Sequence, residues 1–175
     1  MTKKQEVLQY LEEHKLELAQ LLGDLIRIPS VNRTLDPASS EYNVQQFVKA
    51  KMESLGLPVT ERTYDGEGLR PNMMATLKGT GGGKDFMLHA HADTVPTHAY
   101  ENWEHDPFGG EFDGTWIHGR GAGDDKWGIA AGLYVLQALT ACGVTLSGDV
   151  HVLASSGEES GEGETIGAGP FVRDM

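Results

Sequence analysis

Apolar residues in the first part of the chain recur at helical spacing. Between about Lys3 and Ile28, Leu11, Leu18, Leu22 and Leu25 stand among charged residues, which predicts an amphipathic helix or helix pair ended by Pro29. A loop from Ser30 to Ala38, containing Asp36-Pro37, leads to a second helix. Val44, Phe47, Val48, Met52 and Leu55 share one of its faces, and Gly56 is its expected C-cap. Two strands should follow: Val59 to Tyr64, with weak alternation, and Asn72 to Lys78, with Met73, Ala75 and Leu77 on one face. Gly79-Thr80-Gly81-Gly82-Gly83 then turns the chain into a short apolar strand that runs through Phe86, Met87 and Leu88 to His91.

From Thr97 to His118 the pattern is irregular, with Trp103, Pro107 and Phe108 as anchors and a small hairpin closing at Trp116 to His118. Lys126 to Cys142 carries the clearest helical pattern. Ile129, Leu133, Leu136 and Leu139 define its core face, but Ala130, Ala131, Val135 and Ala138 leave little polar surface, so this helix should be buried. Gly143 is its natural stop. Asp149 to Ala154 is the last short strand. Strands alternating with helices predict an α/β fold, a mixed, largely parallel sheet flanked by helices. No internal repeat or domain-scale linker interrupts it.

Charge narrows the partners. Fourteen Lys and Arg against 26 Asp and Glu give −12 over 175 residues, with no basic stripe, which argues against nucleic acid or an anionic membrane. The single cysteine, Cys142, rules out an internal disulfide framework and a Cys-based zinc knuckle; among apolar neighbours at a helix end it reads as buried filler. No apolar run approaches a membrane span, and Met1-Thr2-Lys3-Lys4-Gln5-Glu6 lacks a following secretory apolar segment, so the expected location is cytoplasmic. The glycines do not form a nucleotide motif. Gly79 to Lys84 is too short for a phosphate loop, has Asp85 where Ser or Thr belongs, and precedes a strand. Gly121-Ala122-Gly123 lacks the third glycine of the dinucleotide fingerprint. Gly-x-Ser-x-Gly and His-Glu-x-x-His do not occur either.

Three stretches carry candidate chemistry, each where a turn joins a strand or a helix. In His91-Ala92-Asp93 an extended backbone points both side chains the same way, so the carboxylate can hold the imidazole's second N–H and make the ring a better metal ligand. His89, two residues earlier, is a rival ligand. Asp124 and Asp125 follow Gly119-Arg120-Gly121-Ala122-Gly123 and precede the buried helix. One of the two is expected to cap that helix, the other is free to bridge cations, and Lys126 can neutralise the spare acid. Glu158 and Glu159 follow the last strand and point in different directions, so one can bind metal while its neighbour takes a proton from a water and passes it to a leaving amine. Each piece alone has an ordinary explanation: a structural His–Asp pair, a helix cap, a solvated acidic turn. All three at strand ends, in this order, favour a metal centre.

Together, Leu88 to Pro96, Gly119-Arg120-Gly121-Ala122 with Asp124 and Lys126, and Ser156-Gly157-Glu158-Glu159 resemble the zinc peptidase family of aminoacylases, acetylornithine deacetylases, succinyl-diaminopimelate desuccinylases, glutamate carboxypeptidases and cytosolic dipeptidases. Leu25 to Asn32, Trp103 and Asp106-Pro107-Phe108 agree with it. The resemblance implies a di-zinc exopeptidase-like fold with two Zn2+ per full-length subunit, cobalt or manganese being alternatives. It implies that His91, Asp124 and Glu159 bind metal, with Asp124 bridging, that Asp93 orients His91, that Glu158 is the general base, and that the Asp124–Asp125 peptide is cis. The implied reaction is hydrolysis of an amide bond in a dipeptide, at a C-terminal residue or in an N-acyl amino acid. A homodimer is the assembly it implies for the full-length protein.

Two features depart from the family pattern. Trp127 stands where the family has glycine, which should alter packing at the helix start. The family's remaining acidic ligand, its last histidine ligand and its lid (dimerisation) domain lie beyond the Glu-Glu pair, and nothing after Glu164 matches them. Residues 1–175 are therefore expected to be the N-terminal part of a catalytic domain, incomplete at the C-terminus, inactive alone and poor at holding zinc. The alternative is a non-catalytic fold relative that binds a partner or a metal without hydrolysis; a nucleotide-binding α/β protein ranks last.

Overall fold

The structure, a computed structural model, describes residues 1–175. The expected N-terminal helix is a pair, α1 (Lys3–Glu13) and α2 (Lys15–Ile26), broken at His14. Thr2 opens α1 with a capping box in which its side chain and Gln5 satisfy each other's backbone N–H groups. Leu22, Leu25 and Ile26 of α2 are buried, whereas α1 buries no residue. Helix α3 (Tyr42–Ser54) sinks Val44, Gln45, Val48 and Met52. Gly56 follows it in the left-handed conformation that ends helices.

Four strands, β1 (Val59–Thr63), β2 (Pro71–Leu77), β3 (Phe86–His91) and β6 (Val150–Ser155), form one sheet in the order β1-β2-β6-β3. The α/β class and the mixed sheet are as expected, but the sheet is less parallel than anticipated. Only β3 and β6 run parallel; β1–β2 and β2–β6 are antiparallel. The reason lies at the glycine-rich turn, which does not fold β3 back onto β2 but leaves room for β6 between them. Gly79 and Gly83 lie against the Ser147–Gly148 backbone, and a Cβ on Gly148 would strike the Lys84 carbonyl. These glycines serve three close backbone passages, not a phosphate.

Strands β4 (Glu111–Phe112) and β5 (Ile117–His118) make the small expected hairpin. Helix α4 (Lys126–Ala141) buries Ile129, Leu133 and Leu136, with Leu139 only half-buried, and packs with α2 and α3 on one sheet face. That core joins Met73 and Ala75 of β2, Ala90 of β3, and Val150, Val152 and Ala154 of β6. The opposite face is thinner: Phe171 of α5 (Ala168–Arg173) covers Met74 and Leu153, with Met87 against them. Alternation along β3 thus sends Leu88 and Ala90 to the main core and His89 and His91 to the α5 face. Cys142, expected to be buried, is half-buried at the end of α4. No helix is long and apolar enough to cross a membrane.

Candidate metal centre

Strands β3 and β6 are parallel and end together, His91 lying opposite Ser155. Their carboxyl ends open on one spot, where ligands bind in open α/β sheets. The turn after β6 brings Glu158 and Glu159 there, and the glycine-rich turn before α4 brings Asp124. Ligand atoms of His91, Asp124 and Glu159 all lie within 4.8 Å of one another. His91 is buried, Glu159 half-buried and Asp124 exposed, so the cluster opens on the Asp124 side. His91 Nε2 lies 3.0 Å from Asp124 Oδ1 and 3.6 Å from Glu158 Oε2, with Glu158 more than half exposed.

The other ring nitrogen faces Asp93. His91 Nδ1 is 3.0 Å from the Asp93 carbonyl oxygen, to which it donates when Nε2 is free, and 3.5 Å from Asp93 Oδ1. The Asp93 carboxylate, fully buried, does more than face the ring. Its Oδ1 accepts from the Glu158 N–H at 3.2 Å, and its Oδ2 from the Glu159 N–H at 3.0 Å and Asn32 Nδ2 at 2.6 Å. One carboxylate therefore ties the end of β3 to the acidic turn after β6. Asn32 belongs to the segment after α2, which pairs through Val31 with Thr94.

These contacts set the charges. Burial disfavours the imidazolium of His91, but the Asp93 carboxylate and carbonyl, with Glu158, outweigh it and raise the ring to about 9. Burial would raise Asp93 too; the bonds from His91, Asn32 and the Glu159 N–H prevail and hold it below its usual range. Glu159 is pushed up, first by burial and then by Asp124, Asp93 and Glu158, against the pull of His91. Asp125 is also raised, chiefly by burial. Carboxylates crowded around one imidazole, with Glu159 pushed up by burial and its acidic neighbours, form a donor set that a divalent cation satisfies. One nitrogen and two carboxylate oxygens suit zinc, and oxygen-rich sites also admit manganese or cobalt. The cluster fits a metal.

Several expected roles change. His89 is not in the cluster: its Nε2 lies 2.7 Å from Ser155 Oγ, one strand over. Asp125 occupies the cap position of α4 but makes no side-chain cap bond, while the Asp124–Asp125 peptide is cis, as expected. Lys126 neutralises no acid. It is fully buried and points to the end of α2, donating to the carbonyls of Leu25 and Ile28 at 2.8 Å each. Trp127 stays outside, 52 % exposed, and Gly128 makes the close approach instead: a Cβ there would lie 2.7 Å from that of Ala90. Glu162, just after the Glu158–Glu159 pair, is not simply solvated but pairs with Arg70 at 3.0 Å. Asn32 lay in a segment the sequence singled out but had no role, and Arg70 and Glu41 were not singled out at all. A buried ion pair leaves no periodic trace.

The family model described as Peptidase family M20/M25/M40 matches residues 87–175. An N-formyl-4-amino-5-aminomethyl-2-methylpyrimidine deformylase of Bacillus subtilis is 32% identical over 158 residues, covering 89% of this chain and 36% of the relative. A succinyl-diaminopimelate desuccinylase of Dinoroseobacter shibae is 32% identical over 142 residues, covering 81% of this chain and 35% of that protein. Among solved structures, human carnosine dipeptidase 1 superposes with a TM-score of 0.80 at 21% identity, over 92% of this chain and 36% of that one, a likeness of fold. The chain thus spans about a third of the length of the curated relatives it matches.

Proposed function

Because the chain belongs to peptidase family M20/M25/M40, we propose that it carries one wall of a two-zinc centre that hydrolyses an amide bond in a dipeptide, at a C-terminal residue or in an N-acyl amino acid. The observation that carries this reading is the convergence of His91, Asp124 and Glu159, with Glu158 beside them. The deformylase and desuccinylase are named for removing acyl groups, which favours small acyl or peptidyl substrates. Three protein ligands are too few for a co-catalytic pair, so the remaining donors are assigned to residues outside this chain.

In this reading Asp124, the most open of the three, would be shared between the two ions, with His91 and Glu159 as the other residues that would hold them. When bound, the metal supplies Lewis-acid polarisation of the scissile carbonyl and acidifies a water molecule. Everything else is the work of the chain's own groups. Asp93 engages His91 Nδ1 and leaves Nε2 for metal. The Glu158 carboxylate, exposed on the open side, takes a proton from the attacking water and delivers it to the departing nitrogen. Asp93, by holding the Glu158 and Glu159 N–H groups, fixes the base relative to the neighbouring ligand. In the full-length protein, Glu158→Ala is expected to lower kcat by about 10²–10⁴-fold while zinc content is retained. Turnover by that variant at the parent rate would refute the role.

A further inference from the structure

We propose that Arg70 is a positioning residue for the metal centre: it fixes the Glu158–Glu159 turn and the Asp93 carboxylate without touching metal or substrate. The inference rests on the metal-site reading above. Arg70 precedes β2, only 5 % exposed, and its guanidinium is bonded in four directions. Its Nε donates to Glu41 Oε1 at 3.1 Å; Nη1 donates to Glu162 Oε2 at 3.0 Å and to Thr34 Oγ1 at 3.2 Å; Nη2 donates to Asn32 Oδ1 at 3.4 Å. Two of these partners lead straight to the site. Asn32 passes the contact on through its Nδ2 to Asp93 Oδ2, and Glu162 lies three residues after Glu159 in the same turn.

The start of that turn also lies close beside the guanidinium. Gly157, immediately before Glu158, has φ +81°, and a Cβ there would lie 3.2 Å from Arg70 Nη2 and 2.8 Å from the Ile166 side chain. The guanidinium therefore leaves little room for a side chain at the start of the turn, Gly157, and grips its far end through Glu162. Ser160 also donates to Glu162 Oε2, at 2.6 Å, so the carboxylate that Arg70 grips gathers the turn around itself. Glu41, fully buried at the start of α3, accepts from Arg70 Nε and anchors it from behind, even though burial, opposed by Arg70, pushes its carboxyl up to about 7. Only a planar fork reaches all four partners; an ammonium at the same place serves fewer of them and fixes no plane.

The test uses the full-length protein stripped of metal, titrated with zinc and then assayed for hydrolysis. Arg70→Lys keeps the charge and loses the fork. It is expected to weaken zinc binding by about 10–100-fold, the usual cost of losing an outer support of a metal site. It should also lower kcat more than it changes KM, since no substrate contact is removed. The double variant Glu41→Gln/Arg70→Met removes the buried pair together, leaving only the partly exposed Glu162 without its guanidinium, so no fully buried carboxylate is stranded and the same loss of zinc affinity is expected. His91→Ala is run alongside. If His91→Ala leaves zinc affinity unchanged, the metal-site reading fails and this inference with it. If His91→Ala weakens zinc while both Arg70 variants bind it with parent affinity and parent kcat, whatever their melting temperature, Arg70 is structural only and the inference is overturned.

Discussion

Lys126 should make the metal-free fold more stable in mildly alkaline than in neutral solution, and Lys126→Met should remove that trend. The amine is fully buried, and its partners are two neutral carbonyl oxygens at 2.8 Å, with no carboxylate among them. Burial therefore disfavours the ammonium and lowers its pKa from 10.5 to about 7. Between those values the unfolded chain binds a proton that the folded chain releases, so stability rises with pH across the interval. The contribution is complete above the unfolded value and is lost as pH falls through the folded one. From pH 7 to pH 9, with the folded group half-titrated at the start, the gain is about 2 kcal/mol. Urea unfolding of parent and variant in chelator, at pH 7, 8 and 9, measures it. Other titrating groups are common to both proteins and cancel in the difference. With a slope of about 2 kcal/mol per molar urea, the gap between midpoints should move by about 1 M in favour of the parent. A gap that does not move with pH would mean that Lys126 stays charged in the fold, and the burial argument would be wrong.

Asp93→Asn should destabilise the metal-free protein at neutral pH by about 1.5–3 kcal/mol, since a buried carboxylate accepting several hydrogen bonds is replaced by an amide that turns donors toward N–H groups; equal denaturation midpoints would contradict this. The parent should also lose stability on acidification below the ordinary aspartate value of 3.8, as the depressed Asp93 takes up its proton, and the variant should lose less. Gly132→Ala should lower the melting temperature although alanine favours helix, because its Cβ would lie 2.8 Å from a methyl of fully packed Val152 in β6; a rise in melting temperature would show that Val152 can yield. Residues 1–175 expressed alone are expected to bind zinc weakly and to hydrolyse neither dipeptides nor N-acyl amino acids. Stoichiometric zinc with turnover in the isolated chain would defeat the assignment of further ligands elsewhere.

The elements of the fold were legible because their hydrophobic periods are plain. Leu22 and Leu25 repeat at helical spacing, the alanines of α4 announce burial, and Val150 to Ala154 is an uninterrupted buried strand. Strand order was not legible. Pattern shows that β2 and β3 are strands, but the insertion of β6 between them goes with Gly79, Gly83 and Gly148 letting two backbone stretches pass closely at three points, which no period records. At the site, His91, Asp124, Glu158 and Glu159 stood out because acids and histidines at turns are conspicuous. Their supports did not. Lys126 looked like a partner for an acid and instead points away into the core, because the first turn of α4 lies against the end of α2. Arg70 and Glu41 are far apart in sequence and meet only once β2 and α3 are packed.

Parallel pairing of β3 and β6 gives the short motifs their common centre. Residues on parallel neighbours advance together, so with His91 opposite Ser155 the chain two residues on, at Asp93, is level with the turn that begins at Gly157. A single carboxylate can then reach back toward the imidazole of its own strand and across to the N–H groups of Glu158 and Glu159. In an antiparallel pair the two carboxyl ends would lie at opposite edges of the sheet, and no aspartate two residues after the histidine could hold both. The His-x-Asp spacing and the adjacent glutamates are thus one geometric device written in two places. Asp93 couples them, so a change at Asp93 is expected to disturb His91, Glu159 and Glu158 together.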